Sequence, residues 1–331
     1  MPLKLKKVFR VANSSKSIAD NVLIKLSHDE LTGYGEAAPS EFYGENSQTV
    51  IATLNSIKEY FSGILPELTS TTDSVGEKIA GNYAAKAAVS IALYDLIGKR
   101  LNLPLHQVLG LTQPLSGSLT SVTIGIDSLP EIQKSVEAAE EFPILKVKLG
   151  SENDREIIEC IRKITDKPLR IDANEGWCRD EAVEKINWLR GEGVELVEQP
   201  LPADEIADTA WVRERVSLPI FADESVKTIH DIPKLANAFD GINIKLMKCG
   251  GITAALRMIK AARSPGLSIM LGCFIESSIA ITAAAHLSAA CDYLDLDGHL
   301  FLVDDPFTGL QIKRGRIKLP DSPGIGVIKR E

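Results

Sequence analysis

The chain has 331 residues, 44% of them hydrophobic and 25% charged, the balance of a globular protein with more chain than one small core needs. Its net charge of −8 excludes a general attraction to nucleic acid or anionic membrane, and no apolar run approaches the roughly 20 residues of a membrane span. Five cysteines (Cys160, Cys178, Cys249, Cys273, Cys291) form no C-x-x-C pair, and the opening MPLKLKKVFRVANSS lacks a signal peptide's apolar core, so a reducing, cytoplasmic setting is expected.

In chain order, residues 3–10 and 20–27 read as antiparallel strands, with 11–20 as a loop between them. GYGEAAP (33–39) follows, then SEFYGENS, whose residues 40–47 read as a second loop, then helical segments near 47–64 and 73–110. In the latter, the spacing of Ala, Ile and Leu in YAAKAAVSIALYDLIGKRLN predicts a packed helix rather than a binding element. Residues 1–117 therefore form an α+β domain of their own. From residue 118 onward the pattern changes. β-branched runs at 119–126, 144–149, 169–173, 194–199, 218–224, 241–247, 268–273 and 293–297 alternate with amphipathic stretches such as 154–165, 181–190 and 251–264. This alternation predicts right-handed β-α units, and eight strands suffice to close a parallel barrel over 118–300. An open doubly wound sheet is the runner-up, but no glycine-rich phosphate fingerprint follows the first strand.

Chemistry in such a barrel sits at the C-terminal ends of the strands. There the polar residues fall into step: Lys148, Asp172, Glu198, Asp223 and Lys245, at intervals of 24, 26, 25 and 22 residues, then Asp297. Solvated strand ends account for one or two such residues. They account poorly for carboxylates on three successive strands, flanked on both sides by strands bearing lysine. Converging carboxylates repel unless a cation sits among them. Oxygen donors without His or Cys suit a hard divalent ion, and Mg²⁺ fits best.

ILKVKLG (144–150) raises a related question, because alternation points Lys146 and Lys148 to one face of a buried strand, where lysine is costly unless paired. Clustered positive charge and partial desolvation lower a lysine's pKa toward a value useful in proton transfer. Lys148 then reads as a base and Lys146 as its electrostatic tuner. Lys248 offers Lys245 the same service if the chain turns after Lys245.

KVKLG, RIDANEGW, VELVEQP, FADES and INIKLMKCGG, in that order, resemble the barrel of the enolase superfamily, and within it the muconate lactonizing enzyme subgroup. GYGEAAP, YDLIGK…LPLHQVLG and the tail LPDSPGIGV (319–327) extend the resemblance over nearly the whole chain. It implies a (β/α)7β modified TIM barrel with an α+β N-terminal capping domain, completed by residues 301–331 packing back on the capping domain. Lid loops would lie near 11–20 and 40–47. It also implies Asp172, Glu198 and Asp223 as Mg²⁺ ligands, Lys148 and Lys245 as acid/base catalysts on opposite faces of the substrate, and Asn174 and Glu224 as support. LDLDGH places Asp295 and Asp297 on one face of the last strand and resembles the D-x-D of dipeptide epimerases, where two carboxylates hold the substrate's ammonium group.

The implied reaction is a 1,1-proton transfer at the α-carbon of a dipeptide's C-terminal residue, through an enediolate, with L-Ala-D/L-Glu or a related dipeptide as substrate. Such epimerases read the glutamate side chain with an arginine in the first lid loop, and Lys16 is the cation that VANSSKSIAD carries there. Glu276, in FIESS, is a candidate to orient a catalytic group, and Trp177 and Phe274 are candidate walls. The alternatives on the same scaffold are a cycloisomerase or o-succinylbenzoate synthase, which has no ammonium to bind. A Schiff-base aldolase and a non-catalytic peptide binder are more distant rivals. The expected partner is a small dipeptide rather than nucleic acid or membrane, and a homo-oligomer is left open.

Overall fold

The computed structural model describes residues 1–12, 14–61, 78–111 and 118–331. Strands β1 (Pro2–Val11) and β2 (Ser14–Asp20) form one antiparallel hairpin, and β3 (Val22–His28) and β4 (Leu31–Ala37) a second. This corrects the expected loop at 11–20. Residues 14–16 pair with Val11, Arg10 and Phe9, and only the tip at Asn13 lies outside the described residues. SSKSIAD shows no apolar alternation because six of its seven side chains are exposed; the backbone ladder to β1, not burial, makes it a strand. Helices α1 (Ser47–Ile57) and α2 (Tyr83–Leu101) and the short α3 (Leu105–Val108) follow. The expected helical segments near 47–64 and 73–110 run partly into 62–77, and the expected boundary after 117 adjoins 112–117, both outside the described residues.

GYGEAAP acquires a packing reason here. A Cβ on Gly33 would come within 2.1 Å of Ala92 O, and one on Gly35 within 2.0 Å of Ala88 O. Strand β4 thus lies directly on α2, whose alanines leave room for the contact.

The barrel alternates strands β5 (Val122–Ile124), β6 (Leu145–Lys148), β7 (Leu169–Asp172), β8 (Val194–Glu198), β9 (Ile220–Ala222), β10 (Gly241–Lys245), β11 (Ser268–Gly272) and β12 (Tyr293–Asp295) with helices. These are α4 (Leu129–Ala138), α5 (Asp154–Arg162), α6 (Arg179–Leu189), α7 (Ile206–Arg213), α8 (Ile232–Leu235), the single turn α9 (Leu246–Cys249), α10 (Ile252–Arg263) and α11 (Ser278–Ala285). The eight strands pair in parallel in chain order, and a bridge between Thr120 and Leu294 closes the ring. Register sets Lys148 beside Asp172 and Asp172 beside Glu198, so strand ends 24 and 26 residues apart in sequence become neighbours in one layer. The last strand is shorter than expected: Asp295 ends it, and Asp297 precedes a 3-10 turn, Gly298–Phe301.

Residues 301–331 touch both parts. Ile325 N–H donates to Asp95 of α2 at 2.9 Å, Val303 N–H to Lys4 O at 2.9 Å, and Ile317 N–H to Ser118 O at 3.0 Å. At this junction His286, buried after α11, places Nε2 3.2 Å from Ile325 O while Nδ1 accepts from His106 N–H at 3.2 Å. That pattern requires a neutral ring with its proton on Nε2. Burial pushes the His286 pKa down to about 4, and the proximity of His106 adds to the shift. Between about pH 4 and 6.5 the unfolded chain therefore binds a proton that the folded chain refuses, and stability falls as pH falls through that window. The expected loss from this group is about 1.4 kcal/mol per pH unit. Urea unfolding at pH 7, 6 and 5 should show this loss in the wild type, and a smaller one in His286→Gln.

Candidate active site

A cavity of about 940 Å³ opens over the C-terminal ends of the barrel strands, beneath the β1–β2 hairpin and residues 40–48. Asp223, one residue past β9, lines it; Asp172 and Glu198 lie buried beneath, and the three carboxylates each offer an oxygen within 4.8 Å of the others. All three are buried, which is costly for carboxylates without partners. Their partners are lysines and amides. Lys148 donates to Asp172 at 2.6 Å and to Asn174 Oδ1 at 3.1 Å, and Lys245 donates to Asp223 at 2.7 Å. The chain turns after Lys245, and this returns Lys248 to Asp223, where its ammonium donates to Oδ1 at 2.5 Å and to the backbone oxygen at 2.6 Å. Asn243 Nδ2 holds Glu198 Oε1 at 2.8 Å.

Glu198 Oε2 lies 2.7 Å from the Lys146 ammonium yet accepts no hydrogen bond, so the contact is an ion pair with poor angles. A buried carboxylate oxygen left this way, among three anionic oxygen donors with no imidazole or thiolate, fits a hard divalent cation such as Mg²⁺. The triad would hold it.

Lys146 is the most shared group of the site. Its ammonium stands 3.0 Å from Asp172, 2.7 Å from Glu198 and 2.8 Å from Asp295. Sequence reading makes it the electrostatic tuner of Lys148; in the structure three carboxylates share its charge. Burial would lower its pKa, but Asp172, Asp295 and Glu198 outweigh burial and raise it. Lys245 departs from expectation in the same direction: burial pulls it down, and Asp223 and Glu198 lift it above a free lysine. Lys248 is lowered, chiefly by burial and also by Lys245. Asp223 stands well below its ordinary value because Lys245 and Lys248 overcome its burial, whereas burial and Asp172 raise Glu198.

The cavity runs from Asp223 to the D-x-D. Asp295 accepts from Ser121 Oγ at 2.7 Å and from Lys146 at 2.8 Å; Asp297 accepts from Thr123 N–H at 2.6 Å. The two aspartates do not share one strand face, because the strand ends between them, yet both line the cavity. Asn174 and Glu224 line it too, joined at 3.0 Å. Lys16, across the hairpin from Phe9, lines its outer part. Glu276 instead lies buried behind the wall, where its carboxylate accepts from Phe274 N–H at 2.9 Å and burial pushes its pKa up to about 8. Phe274 lines the cavity, its ring centre 5.0 Å from the Lys245 ammonium. Trp177 turns into the core and donates to Asp154.

Sequence reading missed Asn243, Ser121, Thr123 and Gln199, whose Oε1 accepts from Asp223 N–H at 3.0 Å and Ser225 N–H at 3.1 Å. Asn243 had a signal, since it sits two residues before Lys245 on the same strand and so on the same face.

Comparison with known proteins agrees with this geometry. Residues 2–110 match the mandelate racemase / muconate lactonizing enzyme N-terminal domain, and residues 131–331 the enolase C-terminal domain-like family. The chain therefore belongs to the mandelate racemase and muconate lactonizing enzyme family of the enolase superfamily. Its relatives there include dipeptide epimerases. The L-Ala-D/L-Glu epimerase of Bacteroides thetaiotaomicron is 44% identical over 99% of this chain and 86% of its own. A substrate-liganded L-Ala-D/L-Glu epimerase from Bacillus subtilis superposes with a TM-score of 0.94 at 33% identity, covering 99% of this chain and 96% of that one. A dipeptide epimerase from Enterococcus faecalis, complexed with Mg and L-Leu-L-Tyr, gives 0.90 at 34% identity, covering 99% and 97%.

Proposed function

We propose that the protein is a Mg²⁺-dependent dipeptide epimerase that inverts the α-carbon of the C-terminal residue by 1,1-proton transfer. The observation that carries this reading is the placement of two lysines. Lys148 ends β6 and Lys245 ends β10, so they flank the carboxylate triad from strands on either side of it, each in contact with a different member. Such a pair can address both faces of one carbon held over the triad. Asp172, Glu198 and Asp223 would hold Mg²⁺, which supplies positive charge opposite the substrate carboxylate as the α-proton leaves. Lys148 removes or returns the proton on one face and Lys245 on the other. Asn174 and Lys248 fix Lys148 and Asp223, and Glu224 shares the hydrogen bond of Asn174.

The far end of the cavity supports a free ammonium group. Asp295 is already paired with Lys146, whereas among the described residues no cation pairs with Asp297. A cycloisomerase or o-succinylbenzoate synthase would gain nothing from this anion. Asp297→Asn is expected to cost free dipeptides about 1.5–3 kcal/mol in kcat/KM and N-acetylated ones far less. Equal losses in kinetic assays of the two substrate types would assign Asp297 to structure.

Lys16 supports an acidic C-terminal residue, as in the substrates named for the Bacteroides and Bacillus enzymes. The net charge of −8 and unpaired cysteines support a small-molecule partner in the cytoplasm rather than nucleic acid or a membrane surface, and among the described residues no helix is long and apolar enough to cross a membrane. The deciding experiment is α-deuterium uptake in D₂O by a dipeptide panel spanning acidic, polar and apolar C-terminal residues. Uptake at that residue with inversion is the expected result; no uptake from any dipeptide would overturn the reading.

A further inference from the structure

We infer that the capping domain sets the position of Lys245, and that Glu36 and Asn21 are the positioning residues through which it does so. The inference rests on the acid/base role proposed above for Lys245. Glu36, near the end of β4, is fully buried and reaches across to the barrel. Its carboxylate accepts from Ser277 N–H at 2.9 Å, Ser277 Oγ at 2.5 Å, Ala280 N–H at 3.3 Å and Asn21 Nδ2 at 2.8 Å. Every one of these partners donates, which favours the ionised carboxylate at the first turn of α11, while burial raises its pKa against them. The Asn21 amide nitrogen also donates to Ile275 O at 3.0 Å. Two capping-domain side chains therefore grip the segment 275–280 from outside the barrel.

That segment continues from the strand beside Lys245. Gly272, the last residue of β11, is the register partner of Lys245. Residues 273–277 then fold back over the cavity, with Phe274 tied to Glu276 and its ring 5.0 Å from the Lys245 ammonium. The fold-back has little slack on its other side, where a Cβ on Gly298 would meet Phe274 O at 2.1 Å. Displacing Ser277 or Ile275 therefore moves the wall against which Lys245 stands. Lys148 is built differently. Its partners, Asp172 and Asn174, come from β7 and the loop after it, and Leu149 N–H is held by Asp172 O at 2.9 Å, all within the barrel. The buried anchors from Glu36 and Asn21 fall on one of the two proton-transfer faces.

A positioning role predicts a stereochemically lopsided defect, which general destabilisation does not produce. The test follows α-deuterium exchange of L-Ala-L-Glu and L-Ala-D-Glu, or of both isomers of whichever dipeptide the wild type epimerises fastest, in Glu36→Gln and Asn21→Ala, with the Mg²⁺-loaded full chain. Lys245→Ala identifies the isomer that Lys245 deprotonates. Glu36→Gln keeps the side-chain size but turns an amide toward donors. It is expected to slow exchange of that isomer by about 10–100-fold, the scale of a misplaced reacting group, while the other isomer stays within about twofold. Asn21→Ala should shift the ratio the same way to a smaller extent, and it decides the matter should Glu36→Gln fail to fold. Equal slowing of both isomers would overturn the inference and leave the function intact. A wild type that exchanges neither isomer would overturn the acid/base assignment, and the inference with it.

Discussion

Lys148→Ala and Lys245→Ala are each expected to abolish net epimerisation, yet each should still exchange the α-proton of one stereoisomer, and not the same one. Inversion needs a proton taken from one face and returned to the other, so in the proposed reaction each direction would use both lysines. Exchange needs only the base on the face where the proton lies. The ammonium contacts at Asp172 and Asp223 place the two groups on different members of the triad, as this division requires. Removing a general acid or base costs about 10²–10⁴-fold, and more where no water can substitute. NMR in D₂O on both isomers reads the outcome directly. If the two variants lose exchange of the same isomer, one lysine is the base and the other is electrostatic, as in a one-base cycloisomerase.

Removing divalent cation with a chelator is expected to abolish turnover, and Mg²⁺ to restore it. Asp223→Asn should weaken Mg²⁺ binding by more than the roughly 10–100-fold that losing a contact to a metal ligand typically costs, because it takes away a charged oxygen outright. It should also leave Lys245 and Lys248 without the carboxylate that both contact. Calorimetric titration of Mg²⁺ into the metal-free proteins measures the first effect independently of activity. Full turnover in the metal-free wild type would refute the assignment of the triad.

The barrel was legible because its signal is local and repeated. β-branched runs and amphipathic helices alternate, and the polar strand ends at 148, 172, 198, 223 and 245 recur once per unit. Register then turns regular spacing into proximity. The hairpin strand β2 was not legible, because SSKSIAD buries one side chain and leaves no alternation to read. The pairing of Glu36 with Ser277 was equally hidden: the two lie 241 residues apart, and nothing in GYGEAAP or FIESS names the other. The lysine pKa values misled for a third reason. Sequence places the ammonium groups near one another, but the carboxylates that surround each of them are set by tertiary distance, and these outweigh burial at Lys146 and Lys245.

Lys146 has a thermodynamic consequence. One ammonium serves Glu198, buried beneath the cavity, and Asp295, which lines it, at 2.7 and 2.8 Å. Whatever draws charge at one of these carboxylates alters what Lys146 can give the other, so the free energies of events at the two ends do not add. Occupancy at either end is then expected to change affinity at the other, and by the same factor in both directions. A substrate that carries a carboxylate at one end and an ammonium at the other meets a site whose two halves already communicate through a single side chain.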